Sequence, residues 1–357
     1  MPTIRFYEID LFRFIAAVMV VVFHYTFVGY SLNYVTTVRF DSIGNYSRYL
    51  YLGINFFFII SGFVILQSAS DGQPGRFFRA RLIRLYPAYC AALLLTATAI
   101  WLFAQPQFPL SWSQLLANLT MLQTAFGQPH VESAYWTLWI ELQFYLLIWL
   151  LCWRGWLRWL PQLIGLTLVA CLASLHLQPP LTFDVWSQIF PHWAGYFALG
   201  ALLYLIRQQG LDRYKTLLLG LALWFVVRQN WVFADLMMQW YQQPFNKTVI
   251  LLLNLAFLFL LMPTSLGWQH PLRQSRFVLW GALTYPLYLI HQTLGYLIFN
   301  ALGPSINRYL LLSLMLLLAL LLAWLIRHLI EQPVAAWLHL RFAGTAARQV
   351  AATSQTG

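Results

Sequence analysis

The stretch EIDLFRFIAAVMVVVFHYTF, Glu8 to Phe27, decides how the rest of the chain is read. It is long and apolar enough to cross a bilayer, for which about 20 residues are needed. Yet it carries Asp10, Arg13 and His24. Ionisable groups at membrane depth cost several kcal/mol and persist where they have a task. Arg13 and His24 are eleven residues apart, three helical turns plus about 20°, so they face the same way, with His24 roughly 16 Å further along. Asp10 precedes Arg13 by three residues and lies on the same side, close enough to pair with it. The spacing predicts one polar stripe on an apolar cylinder, turned toward the interior of a bundle.

Composition agrees with a lipid solvent. Of 357 residues, 61% are hydrophobic and 9% charged, against about a quarter charged in soluble proteins. The mean hydropathy is +0.65. Aromatic residues make up 18%, which suits interfacial belts of Trp and Tyr. The net charge of +11 does not point to nucleic acid, because the basic residues sit in short loops rather than in a patch. Cys90, Cys152 and Cys171 lie in or beside apolar runs with no metal-like spacing, and read as small apolar filler. No metal site is expected: there is no His-x3-His pair and no Cys cluster. No cleavable signal peptide is expected either, since the N-terminus is acidic and no small-residue site ends the first run.

Ten apolar runs read as spans: 9–30, 47–68, 78–104, 136–153, 160–177, 186–206, 213–233, 246–262, 277–299 and 308–330. The runs are continuous rather than alternating, so they are helices and not barrel strands. With the N-terminus inside, fifteen Lys and Arg fall on the inner side and five on the outer, with Arg13 inside the first span. That bias puts both termini in the cytoplasm. The expected architecture is an all-α membrane bundle of about ten helices over residues 1–340, with a disordered cytoplasmic tail over 341–357. The longest loop, 105–135, lies outside, is too short to fold alone, and is a place to look for acceptor contacts.

Other polar residues reach the level of the stripe. WTLWIELQFY (Trp136–Tyr145) places Glu141 about one and a half turns into the fourth span. GALTYPLYLIHQ (Gly281–Gln292) places His291 about two turns below the outer end of the ninth. His24, Glu141 and His291 are thus expected at comparable depth. At the inner mouth, GRFFRARLIRLYP (Gly75–Pro87) gathers Arg76, Arg79, Arg81 and Arg84. The planar guanidinium fork suits phosphates, although positive-inside signalling alone also accounts for such a cluster. GINFFFIISGF (Gly53–Phe63) gives the second span Ser61 and Gly62, small residues that permit close helix approach.

Taken together, Arg13-x10-His24, INFFFIISGF, RARLIRLYP, WTLWIELQFY and LTYPLYLIH, in that order from residue 8 to about 292, resemble the integral-membrane acyltransferase family 3, the OafA-type O-acyltransferases. IEQP, which runs from Ile330 through Glu331 to Pro333, resembles the family's ending. Where the family shows Leu-Asp-x-Leu-Arg this chain has IDLFR, with Phe12 in a Leu position. The resemblance implies an enzyme of the bacterial inner membrane that moves an acyl group, commonly acetyl, from cytoplasmic acyl-CoA to a hydroxyl. The acceptor is a sugar or related compound, often an exported polysaccharide, lipopolysaccharide or peptidoglycan. Some members carry an extracytoplasmic hydrolase-like domain. This chain has no room for one and is expected to act alone or with a separate partner.

On that reading Asp10, Arg13, His24 and Glu141 are the catalytic candidates. Arg76, Arg79, Arg81, Arg84, Ser61, Tyr145 and His291 are the substrate-binding ones. The arginines hold the donor's phosphates. The thioester arm rises along the stripe, and His24 serves as general base, its unperturbed pKa near 6.5 suiting neutral pH. Glu141 orients the imidazole or binds the acceptor, and His291 helps in either role. An acyl-histidine intermediate is the alternative to direct transfer. The partners are acyl-CoA, a glycan acceptor and membrane lipid. A transporter or flippase built of ten helices around buried charges is the rival reading.

Overall fold

The computed structural model describes residues 5–176 and 190–342. Among them every regular element is helical. The helices are α1 (Tyr7–Ser31), α2 (Asp41–Ala69), α3 (Pro74–Phe103), α4 (Trp112–Leu119), α5 (Ser133–Arg154), α6 (Leu160–His176), α7 (Phe190–Gln209), α8 (Arg213–Tyr241), α9 (Lys247–Leu266), α10 (Phe277–Ile290), α11 (Gln292–Leu302) and α12 (Arg308–Phe342). Eight of them, α1, α2, α3, α5, α6, α8, α9 and α12, are long and apolar enough to cross a membrane. The chain is therefore a multi-pass membrane protein.

The count of ten uniform spans needs correcting at two places. The run 277–299 is not one helix. It is interrupted at His291, which divides it into α10 and α11. The sixth span forms α7, but this helix sits inside the bundle, with every residue from His192 to Ile206 buried. The 186–189 start of that span and the end of the fifth lie outside the described residues. Arg341 and Phe342 still belong to α12, and the tail expected beyond them lies outside the described residues.

Close helix approach is what glycine permits here. A Cβ on Gly62 would sit 2.2 Å from the Phe197 carbonyl oxygen, and one on Gly200 would sit 1.8 Å from that of Ile59. The backbones of α2 and α7 thus meet along a seam with no space for a methyl group. Phe58 stacks on Phe197 beside that seam, ring centroids 4.8 Å apart.

The 105–135 loop packs part of its length against α3. α4, capped by the Ser111 hydroxyl accepting from the Gln114 amide, runs back along α3. Trp112 packs on Trp101, centroids 4.7 Å apart. The Tyr86 and Tyr89 hydroxyls donate to the carbonyls of Leu119 and Asn118, at 2.6 and 2.8 Å. Tyr86 lies twelve residues into α3, about 18 Å along it, so the loop re-enters the bundle. Irregular backbone is tolerated at that depth only where protein covers it. Asn118 supplies the cover: its side chain donates to the Gln114 and Pro129 carbonyls and accepts from the Val131 amide.

Gly200→Ala is expected to force α2 and α7 apart and to cost at least the roughly 1–3 kcal/mol of an overpacked core. Gly220→Ala, where a Cβ meets nothing within 4 Å, is expected to be neutral or slightly stabilising. Thermal unfolding of the two detergent-solubilised variants, followed by size-exclusion chromatography, checks the contrast; equal midpoints would refute the seam.

Candidate active site

Three interruptions of helical geometry carry the chemistry. α1 widens into a π-turn over His24–Val28. α12 does the same over Arg327–Glu331. The third is the break at His291. Such π-turns recur at functional sites because they turn a side chain off the regular helical face.

His24 and His291 meet at the first and third of these. His291 Nε2 lies 3.0 Å from His24 Nδ1. His24 Nδ1 also lies 2.8 Å from the Val20 carbonyl oxygen, and His291 Nδ1 lies 2.8 Å from that of Tyr288. A carbonyl only accepts, so each Nδ1 carries the proton in the neutral rings. His291 Nε2 is then bare and accepts from His24, whose Nδ1–H is shared between Val20 and His291. The lone pair of His24 Nε2 remains free. Both rings are buried. His291 is fixed from behind by the Tyr25 hydroxyl, which donates to its carbonyl at 2.8 Å.

Below this pair lies a cavity of about 50 Å³, lined by Arg13, Ser61, Thr137, Glu141, Tyr285 and Tyr288 with Phe57 and Phe58. Ser61 donates to the Glu141 carboxylate at 2.7 Å, and Tyr145 hydrogen-bonds the same group. The His24 ring bonds to the Val20 carbonyl and to His291, not to Glu141. Glu141 therefore faces the cavity beneath the dyad rather than orienting the imidazole. Tyr288 joins the two levels. Its hydroxyl is 2.6 Å from the Thr137 hydroxyl, and its ring centroid is 5.7 Å from that of His291.

Further down is a basic layer. Arg13 lies within electrostatic range of Arg84, Glu141 and Asp10. Asp10 does not form the expected ion pair with Arg13; it pairs with Arg5 at 2.8 Å and packs against Gly281. Arg81 places its guanidinium over the rings of Phe77 and Tyr145. Arg76 turns away to pair with Asp71, and Arg79 lies over the ring of Phe342. The four arginines thus divide: Arg81 and Arg84 face the layer beneath the cavity, while Arg76 and Arg79 lie at the periphery.

Two carboxylates were not foreseen as site residues. Glu331, in the IEQP motif, falls within range of Arg84, Arg327 and Arg13. Its Oε2, with Arg81 Nε and Arg327 Nε, is buried without a hydrogen-bond partner. The unpaired guanidinium donors of Arg81 and Arg327 are suited to an anion. Glu132, just before α5, is 1% exposed. It accepts from the Thr293 amide at 2.9 Å and the Thr96 hydroxyl at 3.1 Å, which anchors the start of α11 two residues from His291. Its only sequence signal was an acid immediately ahead of an apolar run. No group of three or more His, Cys, Asp or Glu among the described residues is placed to hold a metal.

Fold and site define a multi-pass membrane protein with a buried histidine pair above a carboxylate cavity and a basic layer. The chain belongs to acyltransferase family 3: the family's acyltransferase domain matches residues 6–328. A 102-residue stretch is 29% identical to the acyltransferase MdmB of Streptomyces mycarofaciens, covering 27% of this chain and 26% of that protein. The chain thus spans about a quarter of that relative's length. No solved structure matches the chain significantly.

Burial pushes the Glu132 carboxyl up to about 7. A raised folded pKa means that the folded state holds the proton more tightly, so this group's stabilising contribution is full below the unfolded value, near 4.5, and is lost as pH rises through about 7. Glu132→Gln keeps an acceptor for the Thr293 amide and turns an amide donor toward Thr96 in place of the carboxylate oxygen that accepts from it. It is expected to flatten the stability profile between pH 4.5 and 7 relative to wild type, as read by thermal unfolding across that range. An unchanged profile would show that Glu132 does not titrate there.

Proposed function

We propose that the protein is an O-acyltransferase of the bacterial inner membrane that moves an acyl group, acetyl in the first instance, from cytoplasmic acyl-CoA to a hydroxyl of a glycan or related acceptor. The observation that carries this reading is the pinned tautomer of His24, whose Nδ1–H is held by the Val20 carbonyl and His291 Nε2 at 2.8 and 3.0 Å. A general base needs a free lone pair and a way to stabilise the charge it acquires. The pinning leaves Nε2 free. When Nε2 takes the acceptor's proton, the resulting imidazolium strengthens its Nδ1–H bonds to both acceptors.

The steps balance without any redox partner. The acceptor hydroxyl gives its proton to His24 Nε2, and its oxygen attacks the thioester carbonyl. The C–S bond breaks, and His24 returns the proton to the departing thiolate. If the same lone pair attacks the thioester directly, the C–S bond breaks, the thiolate leaves and an acyl-histidine forms; the acceptor oxygen then takes the acyl group, returning Nε2 its lone pair, and the hydroxyl proton goes to the thiolate. In both routes Arg13, Arg81 and Arg84 hold the donor's phosphates on the cytoplasmic side. Glu141, with Ser61 and Tyr145, orients the arm or the acceptor in the cavity. A transporter has no use for a base with one ring nitrogen pinned and the other free, and family membership weighs against it.

The test is genetic and chemical. In cells lacking the gene, O-acyl groups on surface glycans are expected to disappear by mass spectrometry. They are expected to return with wild type and to fall by roughly 10²–10⁴-fold with His24→Ala at matched membrane levels. Full restoration by His24→Ala would overturn the assignment of the base. No glycan change even in the deletion would move the transporter reading forward.

A further inference from the structure

The stretch WRGWLRW (Trp153–Trp159), which the catalytic machinery does not use, joins α5 to α6 at the end of the bundle where the arginines gather. Gly155, at φ +66°, makes the turn. Arg154 lies over the rings of Trp153 and Trp156, at 4.9 and 5.7 Å, and Arg158 lies over that of Trp159, at 5.6 Å. Both arginines are exposed. Among the described residues no Asp or Glu pairs with either of them. Tryptophans at the end of a spanning helix sit at the level of lipid headgroups.

From this end an apolar cleft of about 460 Å³ runs between α3 and α5. Trp149 lines its near end and stacks on Trp153 with the planes 5° apart, so the cleft is continuous with the Trp-Arg stretch. Its α3 wall runs from Phe77 to Tyr86 and its α5 wall from Trp139 to Trp149, about 14 and 15 Å of helix. That is the hydrocarbon depth of one leaflet, half of about 30 Å. The re-entrant segment closes the far end. Tyr86 donates to the Leu119 carbonyl there, and the next three residues, Thr120, Met121 and Leu122, line the cleft. Met121 is held at φ +60°, a left-handed conformation that costs any residue with a Cβ and that concentrates at ligand sites.

Phe78, Leu82 and Leu146 on the rim are exposed, so in a bilayer the cleft opens sideways onto lipid. Among its lining residues there is no Asp or Glu. The one charged side chain, Arg81, is folded over the rings of Phe77 and Tyr145.

We infer that this is a phospholipid site: one acyl chain of an anionic phospholipid lies in the cleft, and its phosphate rests on Arg154 and Arg158. Three observations select that occupant. Two unpaired guanidiniums match a phosphate. The length of the cleft matches one leaflet. The lateral opening admits a chain from the bilayer, while a water-soluble ligand would have to cross lipid to reach it. By the charge bias of the loops the leaflet is the cytoplasmic one. Tyr145 connects this site to the catalytic cavity, because its ring lines the cleft and its hydroxyl bonds Glu141. On the acyl-transfer reading above, a filled cleft braces one wall of that cavity.

The full chain in phosphatidylcholine nanodiscs tests this, with phosphatidylglycerol carrying a diazirine midway along one chain as the probe. After irradiation, peptide mass spectrometry is expected to find the label concentrated on 77–86 and 139–149, and unlabelled phosphatidylglycerol is expected to displace it. Leu146→Trp, which fills the cleft from its exposed rim, is expected to cut that labelling by roughly tenfold or more. Arg154→Gln combined with Arg158→Gln is expected to weaken competition by phosphatidylglycerol roughly tenfold to thirtyfold. Label spread evenly over the lipid-facing helices, or unchanged in both variants, overturns the site. Displacement by palmitoyl-CoA but not by phosphatidylglycerol makes the cleft a donor-chain site and overturns the phospholipid. Thiol release from acetyl-CoA is expected to rise with phosphatidylglycerol in wild type and not in Leu146→Trp. Selective labelling with thiol release indifferent to phosphatidylglycerol overturns the bracing through Tyr145. Selective labelling in a protein that never releases thiol keeps the lipid site and overturns acyl transfer.

Discussion

The hydrogen bond between His24 and His291, 3.0 Å across 267 residues of chain, is the contact around which the bundle is arranged. It requires α1 to lie against both halves of a broken helix. Gly281 and Gly295 permit that approach: a Cβ on the first would sit 2.4 Å from the Asp10 carboxylate, and one on the second 2.3 Å from the Tyr25 ring. With no methyl groups in the way, Tyr25 reaches the His291 carbonyl at 2.8 Å. Glu132 then holds the amide of Thr293, so the break that presents His291 is fixed on both sides. Freed backbone groups inside a membrane protein must find partners within it. Here the partners come from α1 and from the segment leading into α5, and they are the same elements that build the site.

The first helix was legible because its information is local. A stripe of Arg13 and His24 follows from helical periodicity alone, and the π-turn begins at His24, after the periodicity has placed it. The all-helical class follows from apolar runs in the same way. Partner choice does not. Asp10 sits one turn from Arg13 yet pairs with Arg5, because Gly281 leaves a niche that only the folded bundle reveals. Glu132 and Glu331 looked like acids at the edges of apolar runs. Their roles depend on Thr293, 161 residues away, and on arginines from three different helices. The 105–135 segment read as an outer loop because its composition is mixed. Its burial rests on tyrosines from α3 and on Asn118 acting as a local clamp.

Electrostatic layering runs along the bundle. At one end Arg13, Arg84 and Arg327 surround Glu331, with orphaned donors on Arg81 and Arg327. In the middle is one carboxylate, Glu141, satisfied by two hydroxyls. Above it is a neutral pair of imidazoles, and beyond them a cavity with no fixed charge. A polyanionic carrier is attracted to the first layer and would lose its hydration for nothing in return in the last.

A thin partition follows from the same layering. If donor and acceptor shared one open channel, water entering with either would hydrolyse the thioester at the base. The hydrogen-bonded layer of Thr137, Tyr288, Ala134 and Gln292 separates the two cavities at a single residue, Ala134. Three of its four side-chain or backbone bonds meet at Ala134, so a small displacement of that residue opens both walls together. The residue there is the smallest that still carries a Cβ, and its amide and carbonyl bond to opposite cavities. The two peptide groups that flank Ala134 thus bond to opposite cavities, and they sit beside the element that carries the imidazole pair.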